Sequence, residues 1–282
     1  ADLGEASDVA RLHDLLGDAD LLFHDFSPET ANRIGLHEKE LAESHPALVT
    51  VSVTPFGRTG PYSGWRAEDL QLIHGGGWGW LTPGCSDDPE LPPLKPAGQQ
   101  AGFQIGFAAA TIGLAALDQS LCTGKGEHLD LAGMSYISSM LEAGFISWTY
   151  LGEIPGRAGT RILNPWRIFE VADGRIFIVC VEDDQWARLK EGMGSPEWAE
   201  MEIFDTQAGR FDAEDLLHMW LGEWAAPQQV MDLFHLGQGN RIGFAPVNTI
   251  QQMLDDPHLR ERGFLVEVDQ PGLGTITLPG PV

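Results

Sequence analysis

Residues 101–131 read AGFQIGFAAATIGLAALDQSLCTGKGEHLDL. The stretch predicts a helix of small residues, a glycine turn and a strand. Gly102, Gly106, Ala109, Gly113 and Ala116 recur at spacings of three and four, so one helix face is nearly bare. A bare face lets another backbone approach closely. Because Gly costs about 1 kcal/mol against Ala inside a helix, several in one helix point to a need for that approach. Gly124 is placed to end the helix in the left-handed conformation, with Lys125 near the negative end of the dipole. His128 to Leu131 then alternate as a half-buried strand does.

Working back toward the start, Ser7 is a candidate cap for a helix from Asp8 to about Gly17, and residues 20–26 read as a short buried strand. Residues 28–36 and 38–44 predict short helices, and LVTVSV at 48–53 a β-branched parallel strand. Strand, helix and strand with short connections argue α/β. In such sheets ligands meet the carboxyl ends of strands, which marks His24, Asp25 and Phe26. The loop PFGRTGPYSGWRAEDL, residues 55–70, follows the second strand directly. It carries two prolines, three glycines and two arginines, Arg58 and Arg66, whose planar forks suit phosphates. HGGGWGW at 74–80 reads either as a backbone cradle for an oxyanion or as a simple loop. Residues 82–98 are proline-rich and predict a linker or lid.

Beyond the central stretch, residues 135–150 predict one long helix bearing Glu142. A hairpin is expected around Ala172, Asp173 and Gly174, followed by helices at 184–193, 211–224 and 228–237. A short strand at 244–247 precedes a helix from Ile250 capped by Thr249, and residues 260–282 return to strands. The boundaries expected are a large α/β domain over 1–160, a small α+β domain over 161–260, and a return toward the large domain over 261–282.

The composition narrows the function classes. The chain has 282 residues, 43% hydrophobic, an ordinary globular composition with enough length for one or two cores. Its net charge of −24 argues against nucleic acid and anionic membrane as partners, and means that an anionic ligand needs a local basic site. Three scattered cysteines give neither a disulfide framework nor a metal site and fit a reducing cytoplasm.

The small-residue helix followed by TGKGEHLDLA resembles the class III CoA-transferases, a group that includes carnitine-CoA-transferase-like and α-methylacyl-CoA racemase-like proteins. DADLLFHDFSPETANRIGL (18–36), PFGRTGPY (55–62), NPWRIFEVADGRIFI (164–178) and APVNTIQQMLDDPHLRERGF (245–264) resemble family segments in the family's order. The resemblance implies a Rossmann-like parallel-sheet domain that the chain enters well inside its usual start, a smaller α+β domain and an interlocked dimer. It implies acyl-CoA and a small carboxylic acid as substrates, with no covalently bound cofactor. Asp25, Phe26, Arg33, Arg58 and Arg66 are then the candidates for contacts with CoA.

One position departs. The family's catalytic aspartate stands in an Ala-Asp-x-x-x-Gly setting, and the matching run here is Ala101, Gly102, Phe103, Gln104, Ile105, Gly106. No Asp or Glu occurs between Glu90 and Asp118. Glu68 stands where racemase-like members carry a histidine, and Asp69 matches a common acidic position. Three readings follow from the resemblance. The chain is a CoA-transferase subunit or half without its own nucleophile, working beside an active member as a homodimer or heterodimer. Alternatively, it is a racemase-like or other acyl-CoA enzyme using another carboxylate, with Glu68 and Asp69 the candidates and Glu142 behind them. Or it binds acyl-CoA without catalysis.

Overall fold

A computed structural model describes residues 2–84, 91–141, 143–157 and 163–280. The chain divides into two compact units, residues 1–159 and 160–282.

The first unit is built on three parallel strands in the order β1 (Leu21–His24), β2 (Val49–Thr54) and β3 (His128–Ala132). Helices α1 (Ala6–Leu16), α2 (Pro28–Arg33) and α3 (Glu38–Ser44) cover one side through Leu16, Ala31, Ile34, Leu36 and Leu41. The cap position of α1 is Glu5, not Ser7, and makes no side-chain cap; Ser7 lies inside its first turn. Helix α2 is capped by Ser27 Oγ, which accepts from the Thr30 amide. After β2 come α4 (Asp69–Gly75) and a 3₁₀ turn at Gly79–Leu81. Then α5 (Gln100–Thr123) crosses the sheet and ends at Gly124, whose φ of 72° is the left-handed cap read from the sequence.

Helix α5 is long and apolar enough, by length and composition, to cross a membrane. Its Ala108, Ala109, Gly113 and Ala116 are nevertheless buried, and it packs on β2. The bare face does two different things. At Gly113 an added Cβ would stand 2.8 Å from Phe23 Cζ, so the glycine there is close approach to the sheet. At Gly102 and Gly106 a Cβ would meet nothing within 4 Å among the described residues. The helix also carries exposed Phe103, Phe107, Leu114 and Leu121.

The single helix expected over 135–150 is two: α6 (Gly133–Ser139) and α7 (Ala143–Leu151). The apolar spacing runs through the break, which is why periodicity alone does not reveal it. Glu142 lies outside the described residues. In the run HGGGWGW the backbone is used for packing: a Cβ on Gly76 would stand 2.7 Å from Ile137 Cγ2 of α6, and one on Gly77 2.8 Å from Leu141 Cδ1.

The second unit holds an antiparallel sheet of β4 (Trp166–Val171), β5 (Gly174–Val179) and β6 (Gly243–Pro246). Around it lie α8 (Asp183–Gly192), α9 (Gln207–Asp212), α10 (Glu214–Ala225) and α11 (Val230–Asn240). The helix read over 211–224 breaks at Ala213, because Thr206 caps a separate short helix before it. Phe169, Ile176, Ile178, Trp186, Leu217 and Phe244 form the core. Arg210 is fully buried there, donating to the carbonyls of Asn164 and Phe204 and to Asp183 Oδ1. Helices α12 (Ile250–Asp255, capped by Thr249) and α13 (Pro257–Glu261) lead to a hairpin of β7 (Leu265–Gln270) and β8 (Gly274–Pro279). The α/β and α+β characters expected of the two halves are those of the structure.

The two uses of glycine in α5 separate on mutation. Gly113→Val overpacks the Phe23–Val51 contact and is expected to cost about 1–3 kcal/mol in urea unfolding. Gly106→Ala, which meets open space, is expected to leave stability equal or raise it by up to about 1 kcal/mol.

Candidate active site

Four chain segments converge at the carboxyl end of the parallel sheet. The loop leaving β2 is held by Pro55 O, which accepts from the Met134 amide at the start of α6 (2.9 Å). Gly57 lies against Ala132 and Asp130 of β3. The same loop runs into α4, whose first residue is Asp69. Because α5 ends just before β3 begins, its opposite, N-terminal end lies beside the strands' carboxyl ends.

Asp69 joins α4 to that end. Its Oδ1 accepts from the amides of Ala101 (2.7 Å) and Gly102 (3.3 Å), and its Oδ2 takes Lys95 Nζ at 2.8 Å. The first amides of a helix have no partner within the helix, and a carboxylate there also meets the positive end of the dipole. Burial by itself pushes the Asp69 carboxyl up. The Lys95 ammonium and the Gly102 and Ala101 amides outweigh it, so the net shift is downward and Asp69 is held ionised. Both oxygens are thus occupied by stabilising partners.

Glu68 is exposed at the start of α4, where its amide donates to Gln71 Oε1 at 3.0 Å. Gly102 sits in the first turn of α5, its amide on Asp69 and its α-carbon facing open space. Asp25 is exposed immediately after β1. Phe26 is half-buried and stacks on the His24 ring, with centroids 5.5 Å apart. Arg33 is exposed at the end of α2, with Nη1 3.4 Å from Leu3 O, and Arg66 is exposed in the loop before α4.

Arg58 is the most elaborately held of the basic candidates. Its backbone N–H donates to both oxygens of Asp130 (3.1 and 2.9 Å). Its guanidinium reaches Ser52 Oγ and Asn32 Oδ1, each at 3.4 Å. Asp25, Arg58, Glu68, Asp69 and Gly102 therefore lie on segments at one end of the sheet. The sequence reading missed Lys95, Ser52 and Asn32. Ser52 was detectable as one of the hydroxyls that alternate with valines in β2, whereas nothing local ties Lys95 to a residue 26 positions earlier.

A separate apolar cavity of about 280 Å³ is lined by Gly77, Trp80, Leu141, Phe145, Trp148 and Ile154. The Trp80 Nε1–H is satisfied by Pro155 O at 2.9 Å, so the indole offers only apolar surface. Among the described residues no group of three or more His, Cys, Asp or Glu is arranged to hold a metal ion.

Asp69→Asn keeps an acceptor oxygen but removes the charge facing Lys95 and the helix end. It is expected to cost about 1.5–3 kcal/mol in denaturant unfolding, the range for hydrogen bonds to charged groups. The sign with pH follows from the lowered carboxyl: its contribution is full above the unfolded carboxylate pKa of about 4 and is lost as pH falls through the folded value. The stability gap between the two proteins should therefore close on acidification.

The sequence matches the model of CoA-transferase family III over residues 1–282. It is 27% identical to the succinyl-CoA–L-malate CoA-transferase alpha subunit of Chloroflexus aurantiacus, over 100% of this chain and 66% of that protein. It is 31% identical to a succinyl-CoA:mesaconate CoA-transferase of Haloarcula hispanica, over 99% of this chain and 70% of that one. The chain spans just under two thirds of the length of the Chloroflexus relatives, 66% and 62%. Among solved structures it resembles a CAIB/BAIF family protein from Brucella suis (TM-score 0.78, 26% identity, 100% of this chain and 73% of that one). It shares the fold of a Mycobacterium tuberculosis protein, at TM-score 0.83 and 23% identity over 100% of this chain and 74% of that one. Sequence and fold agree that this chain belongs to CoA-transferase family III.

Proposed function

We propose that this chain is a subunit or half of an enzyme that moves CoA between an acyl-CoA and a small carboxylic acid, and that its own nucleophile position is empty. The observation that carries the reading is the pairing of Asp69 with Gly102. The neighbouring carboxylate is fixed on the helix end, and the adjacent α-carbon, in the first turn of α5, bears no side chain and has open space before it among the described residues. A carboxylate at that position would stand at the positive end of the helix dipole, which favours the ionised, nucleophilic form. Such a nucleophile attacks the thioester carbonyl, expels CoA as thiolate and leaves an acyl anhydride on the enzyme; the thiolate's return to the side-chain carbonyl releases the acid. Gly102 supplies none of this. Asp25, Phe26, Arg33, Arg58 and Arg66 are the residues proposed to meet CoA, its phosphates on the arginines.

A second chain fits the surface of the first unit. Helix α7 is apolar all round, yet Phe145, Ile146, Trp148, Tyr150 and Leu151 are exposed on it. A helix of that composition belongs in a packed environment. An active family member as partner, in the cytoplasm, completes the reading. Glu68 is the carboxylate by which a racemase-like or other acyl-CoA reaction would proceed instead; it is exposed at the cap of α4, where its side chain also faces the Gln71 amide in a capping box.

The test is CoA exchange between succinyl-CoA or acetyl-CoA and a panel of carboxylic acids, with new thioesters counted by mass spectrometry. The unaltered chain is expected to bind CoA without exchange, and Gly102→Asp to gain exchange at least tenfold above background. Exchange by the unaltered chain that Glu68→Gln abolishes would overturn the silent-site reading in favour of Glu68.

A further inference from the structure

The sheet face turned away from α5 carries Leu22, packed toward α1–α3, and Ala132, and has polar side chains on all three strands. Gly113 of α5 lies against Phe23 and Val51, so the alternate positions, His24, Thr50, Ser52, Thr54, His128 and Asp130, face the other way. Ser52 Oγ lies 2.9 Å from His24 Nε2 and 2.6 Å from His128 Nε2, and Arg58 Nη1 donates to it at 3.4 Å. A hydroxyl has one proton and two lone pairs. Arg58 occupies one lone pair, so Ser52 donates to one imidazole and accepts from the other. Both Nδ1 atoms are buried and have no partner among the described residues. When both rings are neutral, one Nδ1 carries a proton and the other is a bare lone pair. The row therefore accepts a single further proton, at the bare Nδ1, without losing a hydrogen bond. A second would turn both imidazoles into donors to Ser52 and displace Arg58.

The charges around the row explain why it is empty of that proton. His24 is pushed down to about 4, by burial first, then by His128 and Arg58, with Asp25 opposing. His128 is also lowered, by burial and then Arg58, with His37 adding to them and Glu38 and Asp130 opposing. Arg58 itself is uncompensated. Among the described residues its guanidinium hydrogen-bonds to the neutral oxygens of Ser52 and Asn32, while the Asp130 carboxylate is engaged by the Arg58 backbone amide. Among the described residues no carboxylate is within ion-pair distance of it, in a chain of net charge −24. A half-buried guanidinium with neutral partners is suited to an incoming anion.

We propose that Arg58 binds a phosphoryl anion and that this binding is coupled to uptake of one solvent proton by the His24–Ser52–His128 row, on His128. The inference rests on the CoA reading above and adds its linkage to pH. An anion on Arg58 removes part of the field that keeps His128 neutral. By reciprocity, a proton on His128 tightens the anion by the same factor. His128 is the acceptor because it is the less buried ring and has Asp130 and Glu38 beside it.

The experiment is calorimetric titration of the full chain with CoA, with inorganic pyrophosphate and with pantetheine, which lacks phosphate. Each is run from pH 5.5 to 7.5 in two buffers of different ionisation enthalpy, and repeated on His128→Gln. Protons exchanged by the phosphates themselves are common to both proteins and cancel. CoA and pyrophosphate are expected to draw a fraction of a proton more into the unaltered chain, with affinity relative to His128→Gln rising as pH falls, several-fold and by no more than about tenfold per pH unit. In the unaltered protein, the His128 imidazole followed by NMR should titrate at higher pH once pyrophosphate is bound. CoA binding with no excess proton uptake overturns the linkage and leaves the CoA reading standing. Uptake with pyrophosphate but no binding of CoA upholds the linkage and removes the CoA reading. Uptake with pantetheine, or binding of neither anion, overturns the proposal.

Discussion

The contact between the Asp69 carboxylate and the first amides of α5 is the constraint on which the rest of this site depends. A helix of small residues carries little side-chain material at its own start, so its end must be fixed from outside. Asp69 does this with one oxygen on Ala101 and Gly102 and the other on Lys95. The interaction ties the loop after β2 to the start of the helix. It sets where the α-carbon of residue 102 stands. It also removes Asp69 from chemistry, because a carboxylate with both oxygens engaged and its ionised form favoured is a poor proton carrier.

The β-branched run LVTVSV, the short connections and the glycine-capped helix made the parallel α/β unit legible in the sequence, and the Asp-Gly hairpin did the same for the second unit. What failed was local. The apolar spacing of residues 135–150 is continuous across a break between α6 and α7. The glycines of α5 looked alike, yet Gly113 lies against Phe23 whereas Gly102 and Gly106 face open space. Spacing tells which residues share a face and says nothing of what covers it. Ordered family segments pointed to Asp25, Arg58 and Asp69, but the Lys95 bridge and the His24–Ser52–His128 row exist only through pairing across strands and loops.

The two polar clusters of the first unit divide the electrostatic work. Near α5, negative charge is matched: Asp69 meets Lys95 and two amides. On the far face of the sheet, Arg58 is left with neutral partners, and two imidazoles beside it stay uncharged. In an acidic chain, basic residues paired with acids are easily explained by stability. An arginine whose guanidinium the fold brings to a strand end with no carboxylate in ion-pair distance among the described residues is better explained by what it is to receive.

Titration of the Asp69 side-chain carboxyl, followed by carbon NMR in the folded chain, tests this account most directly. If Asp69 is the anchor of α5, its carboxyl titrates below the ordinary aspartate range, and the Ala101 amide signal shifts with it. A carboxyl titrating above that range, toward neutral pH, would mark Asp69 as a proton-carrying group and contradict the account.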